Sequence, residues 1–213
     1  MKSFILTTAF IVAASATVSA KTNTTKVLAN GYPYTQVPFT SVNLAHNSFW
    51  GARLQAAREV TVPLAFSKCE SEHRYKNFDM AAYTLKHPEH PGLKTPEWDV
   101  AKIMGLSFDD TDVYKTIEGA SYILQTYPDK KLKAYIDSVL NIVAAAQEPD
   151  GYLYTARTIN PEHPHGWSGK KRWEKEEDLS HELYNLGHMV DAACAHYQAT
   201  GSHKFLDIAR RYA

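Results

Sequence analysis

The stretch Ser180-His181-Glu182-Leu183-Tyr184-Asn185-Leu186-Gly187-His188 sets an imidazole beside a carboxylate at the head of an apolar segment, directly behind a long polar connection. Side chains of these two types can bind hydroxyl groups, move protons or ligate a metal. Zinc-protease chemistry needs a second histidine four residues after the first, so that both reach one ion from one helix face. That position is Asn185 here, and His188 lies two turns from His181, roughly 10 Å along a helix axis, too far to share an ion. The protease reading is therefore rejected. The segment continues to Thr200 with Leu183, Leu186, Val190, Ala193 and Tyr197 at spacings of three and four. That pattern predicts a helix burying this face, with its free N–H groups, His181 and Glu182 turned toward an anionic or hydroxyl-rich ligand. A plainer alternative stays open: His181 and Glu182 as first-turn polar residues, Glu182 favoured by the helix dipole, and His188 as a core histidine.

Other polar clusters carry the same double meaning. Asp109, Asp110 and Asp112 supply the clustered carboxyls that glycoside hydrolysis uses in pairs, and equally the caps that start a helix. Asp150-Gly151 is a turn signal, with Tyr152 behind it as a stacking surface. His163-Pro164-His165-Gly166-Trp167 could hold metal or sugar, or be a mobile polar loop, and the mixed-sign run Lys170 to Asp178 reads as a solvated face.

The elements that must position these residues are helical. Apolar residues at helical spacing predict helices over about 43–66, with Pro63 bending or ending it, about 111–125, about 130–147, and from His203 onward. Residues 67–98, rich in His, Pro and charge, read as a surface connection, and 148–178 as a long loop of the kind that usually carries function. Tyr127-Pro128-Asp129 and Thr200-Gly201-Ser202 each join a long helix to a second one, a repeated helical hairpin. Short turns at one end force the long connections to the other, so Phe108 to Lys115, Asp150 to Tyr154 and Ser180 to Tyr184 belong to one rim. The fold class expected is all-α, part of a toroid of helical hairpins. The last residues, to Ala213, continue a periodic helix without a stop signal, which leads us to expect the N-terminal part of a larger domain.

Lys plus Arg balance Asp plus Glu at 23 each, leaving no field to attract nucleic acid or an acidic membrane. Residues 1–20 read as a signal peptide, with Lys2, an apolar run Phe4 to Ala14, and small residues Val18-Ser19-Ala20. That run is too short to span a bilayer. A periplasmic or secreted protein beginning at Lys21 is expected, with 21–40 as an N-terminal arm and 41–213 as domain. The two cysteines, Cys69 and Cys194, read as free thiols rather than a disulfide, Cys194 as a buried one.

Three ordered blocks, Phe108-Asp109-Asp110-Thr111-Asp112-Val113-Tyr114-Lys115, then Gln147-Glu148-Pro149-Asp150-Gly151-Tyr152-Leu153, then Ser180-His181-Glu182-Leu183-Tyr184 through Gly187-His188, together with Phe49-Trp50-Gly51-Ala52-Arg53 and Thr61-Val62-Pro63, resemble the N-terminal part of β-L-arabinofuranosidases of glycoside hydrolase family 127. The resemblance spans about residues 40–213. It implies an (α/α)6 toroid followed by β-rich domains, and release of terminal β-L-arabinofuranose from glycans with retention. It also implies a cysteine nucleophile, a glutamate acid/base and a zinc ion, all supplied outside residues 1–213, so that this chain alone is inactive. Neither cysteine here sits in a matching motif. The family's sugar-binding histidine matches His181, while Asp112, Asp150, Tyr152 and Glu182 fall in matching blocks without an assigned contact. Two alternatives stand beside this: a non-catalytic glycan-binding or scaffold protein on the same toroid, and a related toroid acting on unsaturated uronides or as a lyase.

Overall fold

The computed structural model of the chain describes residues 37–89 and 103–213. The expected signal peptide, most of the arm 21–40 and the residues following Glu89 in the His- and Pro-rich stretch lie outside them. Among the described residues all regular elements are helical: α1 (Phe49–Ala56), α2 (Val62–Ser71), α3 (Arg74–Lys86), α4 (Asp110–Thr126), α5 (Lys130–Ala145), the single turn α6 (Thr155–Thr158), α7 (Glu182–Thr200) and α8 (Lys204–Tyr212). None is long and apolar enough to cross a membrane.

Two helical hairpins frame the fold. Asp129 starts α5 by accepting from the backbone N–H groups of Lys131 and Leu132 at 2.8 and 3.1 Å, as a good N-cap should. Gly201 ends α7 at φ +71, with its N–H on the Tyr197 carbonyl, a left-handed cap that glycine adopts without a Cβ penalty. In α5 the buried residues are Ile136, Val139, Leu140 and Val143, and in α8 Phe205, Ile208, Ala209 and Tyr212, both at the three-and-four spacing of a single buried stripe. Between the hairpins α4 packs most extensively on α7. Ala120 and Ser121 on one helix and Ala192 and Ala193 on the other are buried, small enough for the axes to approach closely.

Three expectations need correction. The first helix does not end at Pro63: a π-turn over Ala57–Thr61 links α1 to α2, and the proline falls in the first turn of α2, where its missing N–H does least harm. The helical pattern set Phe49, Leu54, Ala57, Val60 and Leu64 on one side, but only Leu54 and Ala57 pack, partly buried, against the core; Phe49, Val60 and Leu64 are exposed while Val62, Phe66 and Cys69 are buried.

The segment 67–98 is not simply a surface connection. It contains α3, whose Tyr75, Phe78, Met80 and Ala81 join the core. Polar residues are buried beside them. Asn77 exchanges two hydrogen bonds with the Met104 backbone (3.0 and 2.9 Å), and the Thr84 hydroxyl donates to the Ile159 carbonyl at 2.7 Å. A hydropathy pattern counts such residues as surface, because it cannot see the backbone partners that make their burial affordable.

The third correction concerns α7. Its buried side is Glu182, Asn185, Met189, Ala192, Ala193, Ala195 and His196, whereas Leu183 and Tyr197 are exposed. The helix is therefore rotated relative to the apolar pattern. Cys194 is exposed and Cys69 buried, and both are free thiols.

Candidate functional site

The three polar blocks meet, and the meeting can be followed bond by bond. Asp110, at the head of α4, accepts from both the backbone N–H (2.9 Å) and the hydroxyl (2.6 Å) of Thr155, fastening the first block to the loop 148–178. The Tyr152 hydroxyl donates to Glu182 at 2.5 Å, fastening that loop to α7. Lys115 donates to the Tyr184 hydroxyl at 2.6 Å and lies 4.8 Å over its ring, closing the circuit from α7 back to α4. The rim expected from hairpin topology is present.

His181 stands at its centre. Its backbone occupies the left-handed region, φ +62 and ψ +26, as the residue that opens α7. Its ring is half-buried among aromatic neighbours, with centroids 5.0 Å from Phe108, 5.8 Å from Tyr184 and 6.4 Å from Trp167. Nδ1 faces the Leu179 carbonyl. A carbonyl can only accept, so Nδ1 carries the hydrogen, and a neutral ring then offers Nε2 as an acceptor. A hydroxyl-rich ligand would find here one directed acceptor beside half-exposed aromatic rings, the mixture by which sugars are held.

The remaining candidates divide. Glu182 is 1% exposed, and besides Tyr152 it accepts from the Trp173 N–H at 2.9 and 3.1 Å. It braces the wall from inside. Tyr152, expected as an open stacking surface, is 4% exposed, with the Arg172 guanidinium 4.1 Å over its ring and Tyr154, Trp173 and Tyr212 at its edges. Burial, then its bond to Glu182, pushes its phenol far above the usual range. Its ring face is occupied, so Tyr152 supports the site rather than stacking on a ligand.

Asp150 is exposed and paired with Arg172 at 2.6 Å, and that bond holds its carboxyl below the usual range. Asp112 pairs with Arg74 at 2.8 Å in a neighbouring cavity of about 240 Å³ that it shares with Cys69, Lys115 and Thr116. The same Arg74 also pairs with Asp109 at 3.1 Å, next in sequence to Phe108.

The α7 N–H groups expected to face a ligand are already taken. Glu176 accepts from those of Glu182 (2.9 Å) and Leu183 (3.1 Å), and from the Ser180 hydroxyl (2.7 Å). Arg172 bridges Glu148 at 2.5 Å and Asp150. The run Lys170 to Asp178 is thus a brace as well as a solvated face. Its alternating signs concealed this, because bridging and solvated charges look alike in sequence. Trp167 was named with the segment 163–167 that could hold metal or sugar, and Phe108 and Tyr184 with the rim clusters, but their proximity to His181 is set by tertiary packing and was not legible. His188, expected in the core, is half-buried with Tyr184 edge-on at 4.6 Å.

Among the described residues no three His, Cys, Asp or Glu side chains converge to hold a metal. Cys69 packs against Thr116, and burial pushes its thiol up.

An all-helical hairpin array that gathers its long connections on one rim is the architecture of an α/α toroid, represented here in part. The sequence profile described as beta-L-arabinofuranosidase, GH127 catalytic domain, matches residues 41–213, and the chain belongs to this family. Over 109 residues, 51% of this chain and 16% of the relative, it is 39% identical to a non-reducing end beta-L-arabinofuranosidase of Bifidobacterium longum subsp. longum. It is similar to the solved structure of a GH127 beta-arabinofuranosidase, with TM-score 0.74 and 65% identity over 85% of this chain and 26% of that one. A GH127 beta-L-arabinofuranosidase from Geobacillus stearothermophilus T6 gives TM-score 0.66 and 32% identity, over 80% of this chain and 24% of that one. The chain spans about a quarter of the length of these two solved relatives.

Proposed function

We propose that the protein is an exported glycoside hydrolase releasing terminal β-L-arabinofuranose from glycans, and that this chain contributes the sugar-binding wall of its pocket. The observation that carries the reading is that the three separated blocks meet at the head of α7, where His181 Nδ1 faces a backbone carbonyl and its ring lies among Phe108, Trp167 and Tyr184. In this role Nε2 accepts from a sugar hydroxyl while the aromatic rings cover an apolar edge of the sugar. Glu182, Tyr152 and Arg172 keep the wall in register, so the hydroxyl partner is placed before the substrate arrives.

By family resemblance the reaction proceeds with retention, and its cysteine nucleophile and glutamate acid/base are supplied by segments beyond this chain. By the same resemblance the reaction uses a zinc ion whose ligands lie outside residues 1–213. Expressed alone, the chain is expected to show no turnover of an aryl β-L-arabinofuranoside. Export rests on the signal-type sequence of residues 1–20.

In the full-length protein, His181→Ala is expected to lower kcat/KM on an aryl β-L-arabinofuranoside by about a hundredfold, the scale of one lost directed hydrogen bond in a desolvated site. Near-normal rates with the fold intact would remove the binding role.

A further inference from the structure

We infer that Glu176, an unremarked member of a charged run, is a positioning residue for His181; this rests on the sugar-binding reading of that histidine. A non-glycine residue at φ +62 stays there only when its surroundings over-determine it. The surroundings at His181 are unusually specific. On its N-terminal side the buried Ser180 hydroxyl donates to Glu176 Oε2 at 2.7 Å. On its C-terminal side the N–H groups of Glu182 and Leu183 donate to the same carboxylate at 2.9 and 3.1 Å. The carboxylate therefore brackets His181 from both directions and neutralises two N–H groups at the head of α7. The His181 carbonyl is held in turn by the Asn185 N–H and side-chain amide, at 2.9 and 2.7 Å.

Glu176 also controls the ring. It lies in the turn Lys175 to Ser180, where the Lys175 carbonyl accepts from the N–H groups of Asp178, Leu179 and Ser180 at 3.0, 3.0 and 3.1 Å. That turn presents the Leu179 carbonyl to His181 Nδ1. By tying the turn to α7, Glu176 fixes the distance between the carbonyl that selects the tautomer and the backbone that carries the imidazole. Without it the turn and the helix are free to separate. His181 can then relax toward an ordinary φ, and Nε2 loses its fixed direction. Glu176 touches no sugar in this account; it acts through His181.

The test is a double-mutant cycle in the full-length protein with an aryl β-L-arabinofuranoside as probe. Glu176→Ala should lower kcat/KM by about tenfold or more, and the double variant with His181→Ala should fall no more than about twofold below His181→Ala alone. Glu176→Gln, which keeps one acceptor oxygen, should lie between wild type and Glu176→Ala, and it carries the same cycle should the alanine variant fail to fold. Glu177→Ala, an exposed neighbour in the same run, is the control and should match wild type. Losses that multiply in the double variant, or a Glu176→Ala enzyme within about twofold of wild type, would overturn the inference. A crystal structure of the Glu176 variant decides it even if His181→Ala proves fully active, which would sink the sugar-binding reading instead. His181 should have left the left-handed region and Nδ1 the Leu179 carbonyl; unchanged geometry overturns the positioning role.

Discussion

Asp110 begins as one of three aspartates that could equally cap a helix or serve a glycosidase, and its surroundings give it another task. It is 1% exposed, and burial pushes its carboxyl up to about 7, against the opposing effect of its two bonds from Thr155. Its folded-state value lies above the ordinary 3.8, so the unfolded chain ionises first as the pH rises. Relative to the non-titrating Asp110→Asn variant, the wild type should lose stability between about pH 4 and about pH 7 and change little above, by on the order of a few kcal/mol. Chemical denaturation across that range checks this; a difference that is flat or grows with pH would contradict it. At this scale the sequence was a partial guide. His181 was legible from its type and its place before an apolar segment. Glu182 and Tyr152 were legible as members of the site but not as its buried supports, because which side of a residue faces the core depends on partners far along the chain.

The helices α4, α5, α7 and α8 were legible because each carries a periodic apolar stripe and a recognisable start or stop. The sequence reading failed for α3, and for the rotation of α7, wherever polar side chains are buried against satisfied partners, as Asn77 and Glu182 are. A second consequence at this scale concerns Gly151, which the sequence marks only as an ordinary turn residue. Its φ is +103, and a Cβ there would lie 1.9 Å from the Arg211 carbonyl oxygen at the end of α8. Gln147 bonds both the Gly151 carbonyl and the Ile208 carbonyl at 2.8 Å, locking the same junction. Gly151→Ala meets backbone strain and a backbone clash together, and should destabilise the fold by about 3 kcal/mol or more. A melting temperature near that of wild type would show that the turn and α8 are not held as tightly as described.

At the scale of the molecule, hairpin topology was the most legible property. Two short turns predicted that the long connections share one rim, and the bonds Asp110 to Thr155, Tyr152 to Glu182 and Lys115 to Tyr184 bear this out. What topology could not supply is the order within the rim: His181 at its centre, Asp150 exposed and paired with Arg172, and Asp112 in a neighbouring cavity. The most direct test of the account is a crystal structure of the full-length protein with L-arabinose bound. It should place a sugar hydroxyl within about 3 Å of His181 Nε2, with the ring against Trp167 or Phe108. A sugar seated elsewhere, with His181 out of hydrogen-bonding reach, would contradict it.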